Sequence, residues 1–230
     1  MADYGRSQLV RVGFPKRRSR DVFHAFMINQ CKLDEFYDVP IIGECHAVPQ
    51  SLVSFSEAVR LHSPRYPGTW VHFYENDSYI ERFWNSPKKY LKILRHYAGV
   101  IAPDYSLCTD FPYPLKQWNN FRNYASGAWL QSKGLLVIAN IRLCGPSSAG
   151  YALAGAPHAC VMAIGTHGNL RNSHNRQRFV EEVELAVDRL SPTTIVAYGS
   201  DAYGVFDYPR SLGVPVVVFP SQIAKAHKKG

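Results

Sequence analysis

The residues with most chemistry to offer follow the apolar run Gly99-Val100-Ile101. Asp104, Ser106, Thr109 and Asp110 come in quick succession after it. Carboxylates and hydroxyls at the carboxyl end of a buried strand are what α/β proteins gather around a ligand. The same residue types also cap helices and organise turns, so for either acid alone both roles stay open. A second group, Gly165-Thr166-His167-Gly168, also follows an apolar run. Glycines there let the backbone approach a ligand, successive amides can cradle an anion, and Arg171, Arg176 and Arg178 follow as phosphate donors. The alternative is a tight strand-to-helix turn. Neither GxxxxGK[ST] nor GxGxxG is present, so this is not a P-loop or a dinucleotide fingerprint. His167 is the best general acid–base candidate, since a histidine titrates near neutrality. Asn140 and Arg142 end another apolar run, and Arg122 and Arg142 are candidate anion clamps. Tyr198-Gly199-Ser200 ends a further one, with Ser200 either facing a ligand or capping a helix. Asp104, Asp110 and Glu44 are candidate hard-oxygen ligands for a divalent cation, Mg²⁺ or Mn²⁺. With His167 they would suit metal-assisted hydrolysis. The candidate site is thus catalytic Asp104, Asp110 and His167, with Ser106, Arg122, Asn140, Arg142, Gly165, Thr166, Gly168 and Ser200 binding substrate.

The elements that must hold these residues alternate between short apolar runs and amphipathic stretches. Strands are expected at Val39–Glu44, Trp70–Asp77, from Gly99, at Leu135–Leu143, Ala159–Gly168, Thr193–Ser200 and Val214–Pro220, with a short one also expected at Gln8–Val12. An ill-defined helical stretch is expected over 21–38. Residues 54–61 read as a helix with Ser54 and Glu57 at capping-box spacing. Further helices are expected over 79–97, interrupted near Pro87, over 114–133 and over 176–190, while 144–158 reads as loop with at most a short helix. On the 114–133 helix, Trp118, Phe121, Arg122 and Ala125 recur at helical spacing, which favours packing against the sheet over stacking on bases.

Continuously apolar strands alternating with helices define an α/β fold with repeated βα units and a mainly parallel sheet. Polar residues end nearly every strand. That distribution favours a barrel, incomplete and of the TIM type, over an open doubly wound sheet, because a barrel gathers all its strand ends around one mouth.

The chain has 230 residues, is 46% hydrophobic and carries a formal charge of +8, with a pI near 9.3. That length suits one α/β domain over 1–230. No run is apolar enough for a membrane span, and there is no signal-peptide pattern, so the expectation is a cytoplasmic protein without a membrane partner. Five scattered cysteines without a CxxC pair argue against a disulfide scaffold or structural zinc. Most are expected as small buried hydrophobes, with Cys108 alone near the candidate site. The charge concentrates in an irregular segment over 1–20 (Arg11, Lys16, Arg17, Arg18, Arg20) and a tail over 221–230 (Lys225, Lys228, Lys229). An anionic partner, nucleic acid above all, is the functional reading; solvated ends are the plain one. Nothing in the pattern speaks to oligomeric state.

Several of these motifs together resemble a set of bacterial and phage proteins known as domain of unknown function 4417. They are Tyr37-Asp-Val-Pro-Ile-Ile42, Trp70-Val-His-Phe73, Trp84-Asn-x-Pro87, Gly99-Val-Ile-x-Pro-Asp-x-Ser-Leu107, Asp110 with Pro112, Gln117-Trp-Asn119, Arg122-Asn123, Asn140-x-Arg142, Gly165-Thr-His-Gly168 and Tyr198-Gly-Ser200. The resemblance spans about residues 33–220. The chain departs from the pattern at Tyr124, Ala139 and Leu143, where the family usually has Arg, Pro and Trp. The resemblance implies a phage or mobile-element setting and work on nucleic acid or nucleotides, without naming an activity. Three readings remain: an enzyme, hydrolase or transferase, on a phosphate-bearing substrate; a non-catalytic nucleic-acid-binding accessory; and a phage structural or assembly protein.

Overall fold

The computed structural model describes residues 21–61 and 66–221. Both basic ends (the tail from 222 on) and Gln8–Val12 lie outside them. Seven strands form one sheet in which every neighbouring pair is parallel: β1 (Ser51–Ser54), β2 (Tyr66–His72), β3 (Tyr97–Ile101), β4 (Val137–Asn140), β5 (Val161–Gly165), β6 (Thr194–Tyr198) and β7 (Val216–Phe219). Their spatial order equals their chain order. Crossovers that always step the same way, on strands with a fixed twist, curl the sheet upon itself. The result is a nearly closed barrel with one unsealed seam, between β1 and β7.

Helices α1 (Phe55–Arg60), α2 (Asp77–Asn85), α3 (Pro87–Leu94), α4 (Tyr113–Ser132), α5 (Ala149–Leu153), α6 (Ser173–Leu190) and α7 (Asp207–Ser211) fill the connections. Ser54 accepts a hydrogen bond from the Glu57 amide, as its spacing predicts. Pro87 starts α3 rather than kinking one long helix, because proline at the first turn loses no hydrogen bond.

Strand residues alternate between two cores. Outward, Phe73, Val100, Val137, Ala139, Met162 and Ile195 pack with helical Phe83, Leu94, Leu130 and Val187. Inward, Trp70, Ile101, Ile138, Val161, Ala163 and Val196 fill the barrel. Trp70 occupies its centre only because β3 carries Gly99 opposite, where a Cβ would stand 2.5 Å from the indole. Cys45 packs into the same interior, and its carbonyl accepts from the Val161 amide at 2.9 Å. The segment around it, pinned by two Gly43–Gln131 hydrogen bonds, therefore covers the amino-terminal end.

Two expectations are corrected. Val39–Glu44 is not a strand: Pro40 makes only an isolated antiparallel bridge with Leu33, and proline has no N–H for a ladder. The seventh strand is β1, too short to register in the sequence. Residues 21–38 hold one 3₁₀ turn, Ala25–Met27, held by the Asp21 carboxylate accepting from the Ala25 and Phe26 amides. Among the described residues no helix is long and apolar enough to cross a membrane.

Candidate functional site

Inward-facing positions change character as each strand climbs to its carboxyl end. β4 runs Ile138, Asn140, Arg142; β2 runs Trp70, His72, Tyr74; β5 runs Val161, Ala163, Gly165, His167; β6 runs Val196, Tyr198. With a period of two, each strand puts hydrocarbon in the barrel and polar groups at the mouth. Tyr74 stacks on Tyr198 at 5.1 Å between ring centroids, and His72 lies 4.1 Å from Tyr198. Gly165 makes room for this, since a Cβ there would stand 2.8 Å from the Tyr74 ring.

A hydrogen-bonded chain rises from these rings. The Tyr74 hydroxyl donates to Asn140 Oδ1 at 2.9 Å, Asn140 Nδ2 donates to Asp104 Oδ1 at 2.7 Å, and Arg142 Nη1 donates to Asp104 Oδ2 at 2.6 Å. Both Asp104 oxygens are engaged, so the cleft meets the guanidinium of Arg142 and not a free carboxylate. Burial pushes the Asp104 carboxyl above its ordinary value, and Arg142 and Asn140 pull it part of the way back. Asp104 in turn holds Arg142 firmly charged.

The loop that carries Asp104 is held by α4. Asn123 accepts from the Tyr105 amide at 2.7 Å and donates to its carbonyl, and Asn119 donates to the Ser106 carbonyl. From the other side, Asp77 at the start of α2 accepts from the Ser106 amide and hydroxyl.

Two clefts open at the mouth and meet at Arg142 and His167, which border both. The first, about 380 Å³, is lined by Tyr74, Tyr79 and Tyr198 with Glu75, Asp104 and Ser106. The second, about 250 Å³, is lined by Arg178, Asn169, Asn175 and Gly168 with Cys108 and Cys144. Beneath Arg142, Glu182 accepts from the Gly145 amide at 2.5 Å and faces Arg178 at 3.5 Å; burial raises its pKa.

Of the residues singled out in the sequence, Asp104, Ser106, Asn140, Arg142, Gly165, His167 and Gly168 come together here. Thr166 is buried, its hydroxyl accepting from the Ser200 amide and donating to the Tyr198 carbonyl. Ser200 accepts from the Ala202 amide, the turn-capping role. Arg122 is elsewhere: it pairs with Glu81 at 2.7 Å and stacks 3.9 Å over Tyr105, beneath the loop. Asp110 is exposed and lines neither cleft. Glu44 is exposed beside His46 at the opposite end of the barrel. Asp104, Asp110 and Glu44 thus do not converge, and among the described residues no three His, Cys, Asp or Glu side chains could hold a metal ion. Tyr74 and Glu182 were not apparent as site residues. Tyr74 had a signal, the inward parity of Trp70 and His72; Glu182 looked like any charged helix position. All five cysteines are free thiols, with only Cys45 and Cys160 fully buried.

An α/β barrel with its polar groups gathered at the carboxyl-terminal mouth is the class of protein defined by this geometry. The chain belongs to the family described as domain of unknown function (DUF4417), which it matches over residues 31–210. It is similar to the Gene 1 protein of Mycobacterium phage L5, 26% identical over 163 residues that cover 71% of each chain. The Gene 1 protein of Mycobacterium phage D29 is 26% identical over 167 residues, 73% of this chain but 62% of that protein's length. No solved structure matches the chain.

Proposed function

We propose that the barrel mouth binds the phosphate of a nucleic acid or nucleotide and that the protein is a hydrolase or transferase acting on it. The observation that carries this reading is Arg142: one nitrogen is fixed on Asp104 at 2.6 Å, and its other donors have no partner among the described residues, at the junction of two clefts. A guanidinium oriented in this way suits an oxyanion whose charge grows during phosphoryl transfer. His167, also at the junction and without a hydrogen-bonded partner among the described residues, takes a proton from the attacking water or hydroxyl, or delivers one to the leaving oxygen. Asp104 positions Arg142 rather than meeting substrate.

The charge of +8 favours a second reading, a nucleic-acid-binding accessory without catalysis. One set of incubations separates the two: labelled single- and double-stranded DNA and RNA, and free ribonucleotides, with Mg²⁺ or Mn²⁺ and with chelator. The expected result is shortened or dephosphorylated product, falling about 100-fold or more in Arg142→Ala and Asp104→Asn. Undiminished turnover in both variants overturns the site. A salt-sensitive gel shift with no product from any substrate overturns the catalytic reading in favour of binding.

A further inference from the structure

The two clefts differ in chemistry as well as size. The first has a tyrosine floor and rim, Tyr74, Tyr79 and Tyr198, and two carboxylates, Glu75 and Asp104. Glu75 spends one oxygen on the Ser56 amide at 2.8 Å. In the second, among the described residues, no carboxylate and no tyrosine is present; its polar side chains are Arg178, Asn169, Asn175 and Thr109, with two thiols. Arg142 and His167 stand at the boundary and belong to both. One end therefore offers the exposed Tyr79 ring and the second oxygen of Glu75, and the other offers cations and amides.

A polyanion enters the first cleft only against the Glu75 carboxylate, and an aromatic base finds no tyrosine to stack on in the second. A ligand with an aromatic, hydroxyl-bearing end and a polyanionic end matches both at once. The volumes, about 380 and about 250 Å³, together lie within the range of small-ligand sites, roughly 300–1,000 Å³. We infer that the two clefts divide one nucleoside di- or triphosphate: base and sugar against Tyr79 and beside Glu75, the first phosphate between Arg142 and His167, and the outer phosphates toward Arg178 and Asn175. This rests on the phosphate reading of the mouth and deepens it, from phosphate-bearing substrates in general to free nucleoside polyphosphates.

The test is calorimetric titration of the full chain, in Mg²⁺-containing buffer, with the four ribonucleoside triphosphates, their monophosphates and nucleosides, and inorganic tripolyphosphate. At least one triphosphate is expected to bind 10-fold or more tightly than both its monophosphate and tripolyphosphate. Arg178→Ala is expected to weaken that triphosphate 10-fold or more while changing the monophosphate less than twofold. Asn175→Asp adds a carboxylate on the first turn of α6 (Ser173–Leu190), where acids favour the helix. It is expected to act in the same direction without disturbing the fold. Tyr79→Leu, on the exposed rim of the first cleft, should weaken nucleotides and spare tripolyphosphate. If tripolyphosphate binds as tightly as every triphosphate, or Arg178→Ala weakens mono- and triphosphate alike, the division is wrong and the phosphate reading stands. If no phosphate compound binds at all, both fall.

Discussion

Asp104 and Arg142 divide a task that neither performs alone. The carboxylate is buried where it accepts two short hydrogen bonds, and the arginine side chain it fixes is about a quarter exposed, at 28%. Asp104→Ala leaves Arg142 and Asn140 facing an empty acceptor. It is expected to cost about 1–3 kcal/mol, less than breaking a fully buried pair, because Arg142 regains water; urea unfolding measures it. Glu182 makes the pH prediction. Burial raises its carboxyl above the ordinary range despite Arg178 and Arg142 nearby, so the folded state binds its proton more tightly than the unfolded chain does. Stability tied to this group is present at low pH and lost as pH climbs through the raised value. Glu182→Gln keeps an oxygen for the Gly145 amide and cannot ionise. Its stability relative to the parent should therefore rise as pH climbs from about 4, the ordinary range of a glutamate, through the raised value. A difference that is flat or falls over that window would show that the arginines, not burial, dominate there.

At the scale of elements, α4 (Tyr113–Ser132) shows what periodicity can and cannot reveal. Its extent was legible, as was the burial of Arg122 and Ala125, because helical spacing and a glycine after the last turn carry that information; Trp118, expected to pack beside them, is exposed and Phe121 half-buried. What escaped is that its buried face also holds Asn119, Asn120 and Asn123. Amides count as surface residues in any hydropathy pattern, yet here each is bonded to a loop or a neighbour, Asn120 to the Tyr151 carbonyl at 2.8 Å. Asn123→Ala strands both the N–H and the carbonyl of buried Tyr105 and should cost about 2–4 kcal/mol. It should also loosen Asp104, so ligand affinity falls with stability. Arg122 was read as an anion clamp from its charge; its place beneath the loop depends on Glu81 and Tyr105, which no local window connects to it. Gly99→Ala drives a methyl into the Trp70 ring. It is expected to destabilise by about 1–3 kcal/mol by thermal unfolding, since overpacking at the centre of a barrel has no outlet.

For the molecule as a whole, strand order and seam matter together. The barrel arrangement was legible from polar residues ending nearly every apolar run. The identity of the first strand was not, because the four-residue β1 has less pattern than the β-branched stretch before it. β1 and β7 each pair with one neighbour, and all of β7 is only half-buried. Amides of Val216–Phe219 should exchange with deuterium about 10-fold faster than those of Val161–Gly165, which have a strand on both sides; equal protection would mean that the seam is closed. The central claim, that the mouth is an anion site organised by Arg142, has one direct test. Crystals grown with tungstate, an electron-dense phosphate mimic, should show the ion within hydrogen-bonding distance of Arg142 and His167, and lose it in Arg142→Ala. Tungstate bound only elsewhere on the protein, with the mouth empty, would contradict the account.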